Sequence, residues 1–272
     1  YPRTQYKARA PNSSIRAFLR AVDIPLLPAG LEDKLDDAIT NKLAEDEKFR
    51  HLFSFIERGG WFSADNFLTW IHAKLNSGKL NDRQRDFGDM TLAQFFEATK
   101  VDLSLVASDI TAARMLVLNH FTAPQLPVIW AVRMSMSIPL LWQEVIWQAN
   151  WGQYLQSDLT GNAIVDGGLL SNFPIELFLS SLKDVTTVMG AKTSQEVLGF
   201  LIDEEAAVPG TEQQTLLPSK GIDIAHLQTV QRLSKLVDTT LSARDKMVIE
   251  SYSKLVARMP AKGYGTTEFD MT

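Results

Sequence analysis

Ile164-Val165-Asp166-Gly167-Gly168-Leu169-Leu170-Ser171-Asn172-Phe173-Pro174-Ile175 is the stretch on which the reading of this chain turns. The apolar pair Ile164-Val165 has the character of a buried strand end. Gly167 and Gly168 let the backbone turn without Cβ clashes, and Asn172 with Pro174 close behind suits a helix start. Asp166 is thereby expected at the mouth of a strand. Open α/β folds bind ligands at the carboxyl ends of strands, so a general-base role is open to this carboxylate. Asp-Gly is also an ordinary turn dipeptide, and the sequence around it has to decide between the two uses.

Upstream, Val101-Asp102-Leu103-Ser104-Leu105-Val106-Ala107-Ser108-Asp109-Ile110 is strand-like, and Ala131-Val132-Arg133-Met134-Ser135-Met136-Ser137-Ile138-Pro139 is a short helical pattern closed by proline. In this order and spacing, the two stretches and the Asp-Gly-Gly turn resemble the C-terminal half of the patatin-like phospholipase domain, over roughly residues 59–203. The resemblance implies an α/β fold, a three-layer sandwich with a mostly parallel central sheet. It also implies a lipid acyl hydrolase, a phospholipase A or carboxylic ester hydrolase, working through a Ser-Asp dyad. Asp166 stands at the family's dyad aspartate, with Gly167 and Gly168 as the motif around it, and no cofactor is expected.

The family's other half is a glycine-rich oxyanion loop and a Gly-x-Ser-x-Gly nucleophile elbow, whose sharp strand-to-helix turn tolerates little bulk beside the serine. No serine among the 272 residues sits between glycines at that spacing. The chain is therefore expected to lack the N-terminal nucleophile portion, with the serine upstream of Tyr1, and to be inactive by itself. Two alternatives from other classes stand beside this reading. One is a noncatalytic relative that binds lipid or a partner; the other gathers Asp158, Asp166 and Asp203 into a magnesium-type carboxylate site.

Composition sets outer bounds. A formal charge of −5 offers no basic face for nucleic acid. With no cysteine there is no disulfide framework, thiolate metal site or catalytic thiol. No run approaches the roughly 18 apolar residues of a transmembrane helix, and no signal-peptide pattern opens the chain. These features suit a cytoplasmic or peripheral protein that meets a lipid or ester substrate, at a membrane surface or off it. Oligomeric state is left open.

Along the chain, one domain is expected over residues 1–272. Residues 1–14 read as loop. Helical spacing appears over Ile15–Val22 and Leu31–Leu43 and again from Phe49 to Ile56, where Gly59-Gly60 breaks it. Ser63 is a candidate N-cap for a helix to about Leu75, with Trp61, Phe62, Phe67 and Trp70 as core anchors; His72 receives no role. Thr91 should cap a short helix. Met115–Phe121 should pair with the 101–107 strand as a hairpin, with His120 turned outward and Asp109 capping the turn between them. Pro127–Met136 should be a buried helix whose Arg133 needs a partner, and Ser135 and Ser137 read as packing hydroxyls. Leu140–Trp151 is either a strand pair whose Trp142, Trp147 and Trp151 pack inward or an aromatic patch that meets lipid, core packing being the commoner use of tryptophan. Pro174–Leu182 should be helical, Val197–Asp203 a fully buried strand, residues 204–221 a loop, and about 224–259 a long C-terminal helix.

Overall fold

The computed structural model describes residues 50–192, 194, 196–203, 206–209 and 245–262. The helices expected over Ile15–Val22 and Leu31–Leu43, the opening loop and residues 224–244 lie outside them. The chain divides into two compact units, residues 1–167 and residues 168–272.

In the first unit, α1 (Arg50–Arg58) ends where the Gly59 amide donates to the Phe55 carbonyl at 3.1 Å. Gly59 has φ +70°, and a Cβ there would stand 2.8 Å from Glu144 Oε1. Glycine is thus required twice over, by its conformation and by the carboxylate lying against it. The chain continues as β1 (Gly60–Phe62), which pairs in parallel with β6 (Leu140–Trp142), Gly60 opposite Leu140 and Phe62 opposite Trp142. α2 (Asp65–Leu75) follows; its N-cap is Ala64, in the left-handed region, and the Ser63 hydroxyl accepts from the Asp65 amide at 3.4 Å. A small antiparallel hairpin, β2 (Lys79–Leu80) and β3 (Arg83–Gln84), leads towards α3 (Leu92–Thr99). α3 opens with the expected cap in its complete form: Thr91 Oγ1 accepts from the Gln94 amide, and Gln94 Oε1 accepts from the Thr91 amide at 2.8 Å.

The main sheet has four strands in the order β5-β4-β8-β7, comprising β4 (Leu105–Asp109), β5 (Arg114–Leu118), β7 (Val145–Ile146) and β8 (Ala163–Asp166). The β4–β5 hairpin forms as expected, Leu105 opposite Leu118 through Asp109 opposite Arg114. β8 lies between β4 and β7, Ala107 facing Asp166 on one side and Val145 facing Ile164 on the other. Every pairing in this sheet is antiparallel. The mostly parallel central sheet expected from the resemblance is thus corrected: among the described residues parallel pairing is confined to two-stranded sheets, and a three-layer sandwich is not seen. A four-residue turn joins β4 to β5, and so short a connection can only reverse direction.

α4 (Val128–Ser135) is the expected buried helix, with Val128, Ala131, Arg133 and Met134 inside. Its apolar face joins Leu92, Ala107, Leu116, Leu118, Trp147 and Ile164 in one core. Trp147 and Trp151 are both buried and meet edge to face at 5.9 Å, so these tryptophans serve the core. The aromatic anchors upstream are less uniform than expected. Trp70 is 54% exposed and Phe62 38%; their rings meet those of Phe67 and Trp142 at 5.8 and 5.5 Å. The edge strand β5 is closed by Tyr154, whose hydroxyl accepts from the Val117 amide at 3.2 Å. Burial raises the Tyr154 phenol, and that backbone hydrogen bond works against the rise.

In the second unit, α5 (Glu176–Leu179) is the helix expected from Pro174 to Leu182, cut to four residues, and α6 (Lys183–Met189) follows it. Asn172 is not an N-cap. Its amide donates to Asp245 at 2.7 Å, and the helix starts after Ile175. β9 (Gly199–Asp203) pairs in parallel with β10 (Val256–Pro260) in a two-stranded sheet, in place of the expected central strand. The strand expected to be buried on both faces alternates instead, with Phe200 60% and Ile202 64% exposed. Residues 245–251 are helical, but the C-terminal helix expected to run to Met259 gives way to β10. Phe173, Ile175 and Ile249 form this unit's core, and a Cβ on Gly199 would overlap the Phe173 ring.

Two consequences of the packing can be measured. A Cβ at Gly167 would lie 2.5 Å from the Val106 carbonyl carbon, where only backbone movement could relieve it. Gly167→Ala is therefore expected to lower unfolding free energy by about 1–3 kcal/mol in denaturant titration; a loss below about 0.5 kcal/mol would mean that the turn has room to spare. Burial holds the Glu144 carboxyl above its ordinary value. A carboxyl raised in the folded state loses stability as pH climbs from the unfolded value, about 4.3, through the folded one. Glu144→Gln should then melt higher than the parent at pH 7 by a few degrees at most, with the gap closing below pH of about 4.

Candidate active site

The site is built outward from the end of β8. Ile164 and Val165 are buried, Asp166 is the strand's last residue, and a 3-10 turn, Gly167–Leu169, carries the chain away. The expected strand end is therefore where the carboxylate stands. Three backbone restraints hold it. Asp166 pairs with Ala107 of β4, its amide donates to the Ser137 carbonyl at 3.0 Å, and Gly167 lies flat against the Val106 carbonyl. Gly167 is needed for this close approach. Gly168 follows within the same turn. Asp166 itself is half-buried.

Arg133 finds its partners around the same strand end. Its side chain is 2% exposed, so the guanidinium must be given acceptors inside the protein. Nη1 donates to the Ser137 hydroxyl; Nη2 donates to the Gln143 carbonyl at 2.7 Å and, more weakly, to the Ser63 carbonyl at 3.4 Å. The Ser137 hydroxyl in turn donates to the Arg133 carbonyl. Fully buried and bonded in both directions, this hydroxyl is no nucleophile, in line with its reading as a packing group. The network extends through the Gln143 side-chain amide, which donates to Ser54 Oγ at 2.7 Å, and from Ser54 Oγ to the Gly60 carbonyl at 2.6 Å. α1, β1, α4 and the β6–β7 connection are thus joined by polar contacts beneath the strand end. Sequence reasoning missed Ser54, Gln143 and Ser137 in this role. The one signal was an arginine inside an apolar helix, which demands partners without naming them.

Other titratable groups take structural places. Asp109, fully buried, caps the turn as expected: its carboxylate accepts from the amides of Thr111 and Ala112 at 3.1 and 3.0 Å, from Arg114 Nε at 3.2 Å and from Asn162 Nδ2 at 2.9 Å. Asp245 is likewise enclosed, accepting from the Ser171 hydroxyl and the Asn172 amide. His72 Nε2 lies 2.8 Å from Asp89 Oδ1, and hydrogen bonds from His72 and Asn76 hold the Asp89 carboxyl below its usual range. His120 is not turned outward. Its ring stacks parallel to Phe96 at 3.8 Å, with Nδ1 2.9 Å from Asp102 Oδ1 but not aligned for a hydrogen bond. Asp158 accepts from Thr160 in an exposed turn, and Asp203 pairs with Arg258 at 2.9 Å. Among the described residues no three acidic or histidine side chains converge as metal ligands do, which removes support for the magnesium alternative. No described helix is long and apolar enough to cross a membrane.

Residues 15–179, more than half of the chain, match the family model of the patatin-like phospholipases. An uncharacterized protein of Bacillus subtilis, YqhO, is 35% identical over 132 residues, which is 46% of this chain and 38% of that protein. Probable lipid hydrolase 463L of Invertebrate iridescent virus 6 is 24% identical over 119 residues, 44% of this chain and 35% of its own length. Each match thus spans little more than a third of the curated relative. Over the matched region lie β4, α4 and the β8 turn with its strand-end aspartate, and the chain belongs to the patatin-like phospholipase family.

Proposed function

We propose that this chain carries the base half of a serine–aspartate lipid acyl hydrolase, with Asp166 as general base and Gly167 and Gly168 shaping the turn that presents it. The observation that carries the reading is a half-buried carboxylate at the end of β8, its amide bonded to Ser137 and the following glycine closed onto Val106, in a chain of this family. Support for a lipid or ester substrate comes from the family and from the relative described as a probable lipid hydrolase. Reaching that substrate at a membrane surface belongs to the same proposal.

The serine and the oxyanion donors are assigned to sequence outside these 272 residues, since no serine here has the glycine elbow. As the serine Oγ attacks the ester carbonyl, Asp166 accepts its proton and the carbonyl oxygen takes up negative charge. Collapse expels the alcohol, which takes the proton from Asp166, and leaves an acyl-serine. Water then repeats the sequence, giving up its proton to the same carboxylate and releasing the acid. A single carboxylate suffices if it comes within about 2.6–3.2 Å of the serine hydroxyl.

Two outcomes are expected. In the complete protein to which this chain belongs, Asp166→Asn should lower turnover on a short-chain ester by about 10²- to 10⁴-fold, while unfolding free energy stays within about 0.5 kcal/mol of the parent. Asparagine keeps the shape of the residue, but its amide is no base for the serine proton. Near-parental turnover would return Asp166 to the status of a turn residue and favour a noncatalytic binding protein. The 272-residue polypeptide by itself should hydrolyse a p-nitrophenyl ester no faster than buffer. Hydrolysis abolished by Asp166→Asn in that polypeptide would place the nucleophile inside it.

A further inference from the structure

We propose that Arg133, acting through Ser137, is the positioning residue that sets where Asp166 stands; the inference rests on the general-base reading of Asp166 given above. The Ser137 peptide unit is held from within α4. Its hydroxyl accepts from the Arg133 guanidinium and donates to the Arg133 carbonyl, so the side chain has no freedom left. The carbonyl of the same residue receives the Asp166 amide at 3.0 Å. Arg133 also grips the other flank of the strand end. Its Nη2 binds the Gln143 carbonyl at 2.7 Å, two residues before Val145, the β7 residue that faces Ile164 of β8.

One buried fork therefore restrains the backbone on which Asp166 sits by two routes, through Ser137 and through β7. On the third side, Gly167 is already closed against Val106 of β4. Nη2 also reaches the Ser63 carbonyl at 3.4 Å, so the fork joins separate segments as well; two of its ties nonetheless lead to the backbone of the residue proposed to accept a proton. The backbone beneath a general base limits where its carboxylate can stand, and a small displacement there is enough to slow the reaction. Lysine could not replace the fork, because one ammonium cannot present planar donors to acceptors lying in separate directions.

The experiment uses the complete protein with Arg133→Lys, Ser137→Ala and Asp166→Asn. It compares kcat and KM on a short-chain p-nitrophenyl ester with amide hydrogen exchange at Asp166 and across β4 and β5. Arg133→Lys should lower kcat about 100-fold and Ser137→Ala about tenfold, with KM within about twofold, as expected when a reacting group is misplaced. In both variants exchange at the Asp166 amide should accelerate by about tenfold or more while the β4 and β5 amides keep their protection. Should Arg133→Lys fail to fold, Ser137→Ala carries the test, since the guanidinium then keeps its Gln143 and Ser63 acceptors. Parental kcat and parental Asp166 exchange in Ser137→Ala would overturn the inference. So would a loss of protection spread evenly over β4 and β5, which marks a purely structural role. The Asp166→Asn variant separates the two levels: if it retains turnover, the base reading falls and the positioning inference falls with it; if it loses turnover while Ser137→Ala behaves as the parent, only the positioning inference is overturned.

Discussion

A guanidinium taken out of water has to be supplied with acceptors, and the way Arg133 is supplied organises the first unit of this protein. Its donors reach the Ser137 hydroxyl and the carbonyls of Gln143 and Ser63, which belong to three separate segments. Breaking such an arrangement from one side costs several kcal/mol, because the other groups stay buried without partners. Ser63 can be reached only because β1 runs beside β6, and Gln143 only because the chain leaves β6 directly into β7. The parallel β1–β6 pair, the end of α4 and the central position of β8 are therefore one arrangement, with the half-buried Asp166 at its edge.

Function rests on two different supports. Membership of the patatin-like phospholipases comes from a match over residues 15–179 and brings with it an expectation of ester chemistry on lipids. Local geometry brings something narrower, namely a carboxylate held by backbone contacts at a strand end, with no carboxylate cluster around it among the described residues that would suit a metal instead. The turn-capping Asp109 is enclosed and accepts four hydrogen bonds. Asp166 differs in standing half-open at the end of β8.

Much of this was legible from residue pattern, and the limits have physical causes. The β4–β5 hairpin, the buried α4, the Thr91 cap and the strand that delivers Asp166 are set by local periodicity and local hydrogen bonds, which sequence displays directly. Strand direction is not local. A continuous apolar run such as Val197–Asp203 looks the same whether it enters a central sheet or a two-stranded pair, and β9 took the second course, exposing Phe200 and Ile202. Val256–Pro260 continues an apolar stripe that suits a helix equally well, and pairing with β9 decides for strand. Asn172 has the chemistry of an N-cap, but Asp245, more than seventy positions later, claims its amide. The partners of Arg133 were invisible for the same reason: the Ser137 hydroxyl and the Gln143 and Ser63 carbonyls are groups that any serine or every sequence position can offer.

The most direct measurement is a crystal structure of the complete protein after reaction with a fluorophosphonate, which captures a hydrolytic serine covalently. The account predicts a single phosphonylated serine from outside these 272 residues, its Oγ within about 3.2 Å of an Asp166 carboxylate oxygen. A phosphonylated serine far from Asp166, or one borne by residues 1–272, would contradict it.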